Sequence, residues 1–135
     1  MSGLFGSIDI SGSGIYAAQT WINTSAGNIA NMNDTVPTAQ GAYQQQTPVF
    51  TPMVGANGQG DGVAVAGVQL GSAVGRLVYD PSNPQANKQG MVREPSISTS
   101  TQLVNLVQAQ NQYQANTVAF KRALTAYQSA LTLGS

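Results

Sequence analysis

The chain carries five acidic and five basic side chains, and it has neither Cys nor His. Their absence removes thiol chemistry, disulfides, the usual zinc ligands and the commonest general base. For acid–base work there remain Asp9, Asp34, Asp61, Asp80 and Glu94. They are scattered, largely in turn-forming stretches, with no spacing that pairs two of them, so a catalytic carboxylate pair is not expected. Asp61 stands in a Gly-rich stretch but lacks the alternating ligands of a calcium loop. The same glycines are followed by no Gly-Lys-Ser/Thr, so no phosphate-binding loop is read there. Lys121 and Arg122 are adjacent, and their expected work is to solvate a helix and complement its dipole. Tyr113, Phe120 and Tyr127 could form a ligand stripe, but their heptad spacing points to packing. Asn28, Asn31 and Asn116 are the polar side chains of most interest. Set between helices, they would hydrogen-bond across and fix register, as a buried Asn does in coiled coils. The expectation is a non-enzymatic chain with no cofactor, no metal and no small-molecule substrate.

These residues sit in two apolar stripes. After Pro95 there is no further proline. Leu106, Tyr113, Phe120 and Tyr127 recur every seventh residue, and Leu103, Gln110, Thr117, Leu124 and Leu131 repeat with the same period. That pattern predicts one long helix over 96–133, about 57 Å at 1.5 Å per residue. Near the other end, Ile8, Ile15, Ile22 and Ile29 form one row, and Ser11, Ala18, Ser25 and Met32 form another. They predict a helix from about Ile8 to Asn31. Gly12, Gly14 and Gly27 weaken it, each by about 1 kcal/mol against Ala, so it forms on packing. Ser25, Ala26, Gly27 and Ala30 would allow a second helix to approach closely.

Between the helices the pattern changes. Tyr43 to Phe50 reads as an edge strand interrupted at Pro48. Val54 to Gly62 reads as a loop, and Gly62 to Leu70 and Ala73 to Tyr79 as further strands. Asp80 to Pro84 is a dense turn signal, with another at Lys88 to Gly90. The expected fold is α+β: long N- and C-terminal helices in an α-helical coiled coil, around a small β-hairpin insert. Residues 1–36 form the N-terminal helix of an axial core, 37–95 the insert and 96–135 the C-terminal helix.

Charged residues make up 7% of the chain and net charge is zero, against about 25% charged in ordinary domains. Nothing steers such a chain to nucleic acid, and a near-neutral surface favours self-association. No apolar run reaches the ~20 residues of a membrane span, so direct membrane insertion is not expected. Met1 to Ile10 has no basic and apolar signal-peptide pattern.

Ser25-Ala26-Gly27-Asn28-Ile29-Ala30-Asn31, Tyr79-Asp80-Pro81-Ser82-Asn83-Pro84, Tyr113-Gln114-Ala115-Asn116 and Leu131-Thr132-Leu133-Gly134 together resemble the flagellar basal-body rod protein family, in particular its short proximal-rod members. Ser25-Ala26-Gly27-Asn28-Ile29-Ala30-Asn31 is similar to the Asn-Leu/Ile-Ala-Asn motif closing the family's N-terminal helix. Tyr79-Asp80-Pro81-Ser82-Asn83-Pro84, then Gly90-Met91-Val92 and Pro95, resembles the family's turn block, with Met91 where Tyr is usual. Tyr113-Gln114-Ala115-Asn116 and the ending Leu131-Thr132-Leu133-Gly134 are similar to the C-terminal helix, with Asn111 where Arg is common.

The resemblance implies a structural subunit that polymerises into the rod crossing the periplasm. Terminal helices would line the tube, with the β region packed outside. It implies export without a cleavable signal by the flagellar type III export apparatus. Its partners would be copies of itself, the proximal and distal rod subunits and the rod-base adaptor. The residues expected at helix packing or subunit interfaces are Ile8, Ile15, Ile22, Asn28, Ile29, Asn31, Leu103, Leu106, Tyr113, Asn116, Phe120, Leu124, Tyr127 and Leu131. The family's turn motif falls on Tyr79, Asp80, Pro81, Asn83, Pro84 and Gly90. A helical-hairpin adaptor working in a discrete complex is the alternative.

Overall fold

The computed structural model describes residues 2–135. The first helix, α1, runs Ser2–Asn31. It starts well before the expected Ile8, although Gly3 and Gly6 lie in the added stretch. The reason is tertiary: the Phe5 ring meets that of Tyr127, centroids 4.8 Å apart. The hydroxyls of Ser7, Ser11, Ser13, Thr20 and Thr24 donate back to carbonyls three or four residues earlier in the same helix. Those bonds satisfy the hydroxyls within a helix whose one charged side chain is Asp9.

The second helix, α2, runs Thr99–Leu133. It starts three residues after the expected Ser96, because Ser98 caps it in an extended conformation and its hydroxyl accepts from the Thr101 amide. No basic residue lies in its last turn. Lys121 and Arg122 therefore stand too far from the helix end to complement its dipole, contrary to expectation.

The two helices pack antiparallel. Phe5 meets Tyr127, Gly14 meets Asn116, and Asn28 meets Gln102. Each residue pair sums to about the same total, so the register holds along the contact. Both chain ends lie at one end of the pair.

The middle of the chain forms two antiparallel strand pairs rather than a single hairpin. Strand β1 (Gln46–Val54) pairs with β2 (Gly60–Leu70) in a long ribbon. β1 starts after the expected Tyr43, whose hydroxyl instead turns toward Asn28. Pro48 and Pro52 both lie inside β1 and are tolerated because each strand of a two-stranded ribbon is an edge. The expected loop shrinks to Gly55–Gln59, closed by a Gly55 amide bond to the Gln59 carbonyl and a left-handed Gly58.

Strand β3 is only Arg76–Tyr79, and it pairs with β4 (Met91–Glu94), which the sequence pattern did not reveal. Gly75 delays the start of β3. It has φ +56°, and a Cβ there would stand 2.1 Å from the Glu94 carbonyl oxygen. Val36 adds a bridge to Arg93, which ties the end of α1 to this second pair.

Candidate assembly surface

The contact between the helices is made by small and amide side chains. On α1, Ser11, Ala17, Ala18, Ser25 and Asn28 are buried; on α2, Gln102, Ala109 and Ala123 are. A Cβ on Gly14 would fall 2.3 Å from Asn116 Oδ1, so this glycine sets the closest approach. Of the small residues expected to admit a second helix, Ser25 is buried and Gly27 half-buried, whereas Ala26 and Ala30 are exposed.

The row expected at the α2 seam is displaced by one residue. Leu103, Leu124 and Leu131 are 50%, 37% and 49% exposed. Gln102, Ala109, Asn116, Ala123 and Ala130 take the inward line, because the small α1 face accepts alanine and amides more closely than leucine. Leu106, Phe120 and Tyr127 flank that line half-buried, with Tyr113 just exposed. Ile8, Ile15, Ile22 and Ile29 are half-buried along the edge of α1.

Asn28 is the polar centre. Its Nδ2 donates to the Gln46 carbonyl at 2.8 Å and to Gln102 Oε1 at 3.0 Å. Its Oδ1 accepts from the Gln46 amide at 2.8 Å and from the Tyr43 hydroxyl at 3.3 Å. One side chain thus joins α1 to α2 and to the start of β1. The bonds to Gln46 fix which way the Asn28 amide points, and this in turn makes Gln102 Oε1 the acceptor. Gln102 Nε2 is left buried and without a partner. Asn31 and Asn116 do not bond across helices as expected. Each donates back to its own helix, to the Gly27 and Gln112 carbonyls. Gln46, Tyr43 and Gln102 were not singled out from sequence. Gln102 heads a seven-residue period through Ala109, Asn116, Ala123 and Ala130, but that row looks polar or small rather than apolar.

The turn motif is rigid and largely self-satisfied. The Asp80 amide donates to the Gly90 carbonyl, and the Asp80 carboxylate accepts from the Ser82 hydroxyl. Asn83 donates to the Thr35 hydroxyl and accepts from the Gln85 amide. Gly90 is buried with φ +76°, and a Cβ there would touch the Tyr79 ring and Pro81. Pro81 and Pro84 are exposed and Tyr79 is 69% exposed. Arg93 clamps the region by donating to the Thr38 and Val74 carbonyls.

Few large apolar side chains are buried. Among the described residues the buried apolar ones are Ala17, Ala18, Ala42, Val92, Ala109 and Ala123, with Pro95 fully buried beside them. Outside lie Tyr16, Val54, Leu70, Val74, Leu77, Val104, Val107 and Leu133, each more than half exposed. The ribbon bends over α1, with Trp21 edge-on to Phe50 at 6.3 Å and Ser13 accepting from the Val63 amide. Under it, Ala17, Trp21, Phe50, Val63 and Asn116 line an open cavity of about 580 Å³. No group of metal-ligating side chains is present among the described residues, and no helix there is long and apolar enough to cross a membrane.

An alanine and amide seam inside, with the larger apolar side chains outside, defines a subunit made to be covered by neighbours. No protein-family model matches the chain. It is 34% identical over 125 residues to the flagellar basal-body rod protein FlgC of Aquifex aeolicus, covering 89% of each chain. It is 32% identical over 126 residues to that of Yersinia enterocolitica, covering 93% of this chain and 94% of the relative. With that of Borreliella burgdorferi it shares 28% identity over 148 residues, covering 97% of both. The chain belongs to the FlgC family of flagellar basal-body rod proteins.

Proposed function

We propose that this structural subunit of the flagellar basal-body rod polymerises into the proximal rod, transmits torque there and forms part of the export channel wall. What supports the reading is the exposure of its large apolar side chains around a seam of small ones. Heterologous contacts that do not close build filaments, and a chain with so little charge has little repulsion to oppose them.

In this reading residues 1–36 and 96–135 form the axial core, and in the rod the paired helices supercoil as a coiled coil. Residues 37–95 pack outside it. Leu103, Leu124 and Leu131, together with the half-buried isoleucines of α1, meet helices of neighbouring subunits. The neighbours are copies of itself, other proximal and distal rod subunits and the rod-base adaptor. The chain reaches its place across the periplasm through the flagellar type III export apparatus. Its work is mechanical rather than catalytic. Deletion of its gene and complementation with the intact chain test the reading. Loss and recovery of complete rods are expected, and normal rods in the deletion strain would refute it.

A further inference from the structure

Among the described residues the chain makes one ion pair, Arg76 to Glu94 at 3.0 Å. Arg93 is taken up by carbonyls. Three of the charges outside that pair, Asp9, Lys121 and Arg122, lie toward the end of the helical pair that holds the start of α1 and the end of α2. Asp9 on α1 and Lys121 on α2 both fall between the Phe5–Tyr127 and Gly14–Asn116 contacts, and so stand at the same height. Each is five residues from the close contact, Asp9 before Gly14 and Lys121 after Asn116. That is about 140° around its helix at 3.6 residues per turn, so both turn away from the seam. Asp9, Lys121 and Arg122 are exposed.

The ribbon adds a second acid at this height. Val63 is bonded to Ser13, which brings the ribbon tip against the first turns of α1. There Gly6, Ser7 and Ile10 meet Asn57, Gly60 and Asp61 around an open groove of about 280 Å³. One side of the subunit thus carries two carboxylates beside a groove floored by glycine, with exposed Phe5 and Ile10 next to it. The far side of α2 carries two cations with Val118 exposed on the same face.

We propose that these faces meet between copies of this chain: Lys121 and Arg122 of one subunit seat against Asp9 and Asp61 of the next. The acids and bases lie on different sides of the helical pair, so a two-fold dimer cannot bring both sets together. The contact is head-to-tail and repeats around the assembly. Because the charges share one height, adjacent copies lie side by side with little axial shift. Charge pairing fixes this register more than it adds affinity.

The inference rests on the rod-subunit reading, and the test separates the two. Lys121→Glu with Arg122→Glu, and separately Asp9→Lys with Asp61→Lys, are expressed in a strain lacking the chain. Each reversal should lower the number of complete rods about ten-fold or more, as expected for lost close charge pairs. The four changes together should restore rods. Undiminished rods in either reversal would overturn the proposal, as would failure of the four-fold variant to restore them although it is secreted. A second arm leaves all four charges intact. The natural chain has no Cys, so Gln59→Cys and Thr125→Cys, placed in separate chains and co-assembled, should cross-link through a short bis-maleimide only to each other. Complete rods with no such cross-link would overturn the proposal and leave the rod assignment standing. Basal bodies with complete rods that never contain the natural chain would overturn both.

Discussion

Asn28 gives the sharpest test of how the fold is held. Asn28→Leu keeps the volume and removes four hydrogen bonds. The Gln46 amide and carbonyl lose their side-chain partners at the point where β1 meets α1. Gln102, already carrying a buried unpartnered Nε2, then has an unpartnered Oε1 as well. Gln46 is only half-buried and can recruit water, whereas Gln102 is 1% exposed and cannot. At about 1–3 kcal/mol for each buried group left without a partner, the change should cost about 3 kcal/mol. With an unfolding entropy of about 2.1 cal/mol/K per residue, that lowers Tm by about 10 °C.

Gln102→Leu should behave differently. It removes the orphaned amide, while Asn28 keeps both of its bonds to Gln46. The change should stay within about 1 kcal/mol, because both a polar group and its unmet demand disappear. In that background Asn28→Leu should also cost less than it does alone, by about 1 kcal/mol. Thermal unfolding of the purified chain, followed by circular dichroism, measures all four corners of the cycle. A Gln102→Leu cost equal to that of Asn28→Leu would refute the reasoning, as would a neutral Asn28→Leu.

Gly14→Ala alone should destabilise the chain, since its Cβ would lie 2.3 Å from Asn116 Oδ1. Combined with Asn116→Ala it should instead stabilise by about 1 kcal/mol through helix propensity, read from urea midpoints. Gly75→Ala should cost about 2 kcal/mol or more, because the backbone there is left-handed and the Glu94 carbonyl blocks the methyl. Exchange of the β3 and β4 amides should accelerate in that variant. Deletion of Gln128 to Ser135 should leave the Tm of the free chain nearly unchanged, since Leu133 is 89% and Leu131 49% exposed. The same deletion should abolish rods in a strain lacking the intact chain, and complete rods would show that this helix end contacts no neighbour.

The helices were the legible part of the sequence. A seven-residue apolar period survives in Leu106, Phe120 and Tyr127, and the turn chemistry of Asp80 to Pro84 reads directly. The leucine period on α2 lies one residue away from the seam, where Gln102, Ala109 and Ala123 are buried instead. The true criterion was the space left by Gly14, Ala17 and Ala18 on the opposite helix, and no single helix displays it. β4 escaped because Met-Val-Arg-Glu is too short to show a period, and its pairing with β3 is fixed by Gly75 and Gly90 elsewhere in the chain. Asn28 was visible as a candidate, but its partners Gln46 and Gln102 lie 18 and 74 residues away. Nothing local marks either glutamine.

In the rod, neighbouring subunits are expected to cover the exposed apolar faces of this chain. Electron cryomicroscopy of basal bodies purified from cells whose only copy carries a small tag in the Gly55–Gln59 turn addresses it directly. Tag density is expected on the outside of the proximal rod, with helical density of the length of α2 lining the tube within. Tag density confined to a discrete complex away from the rod would contradict it.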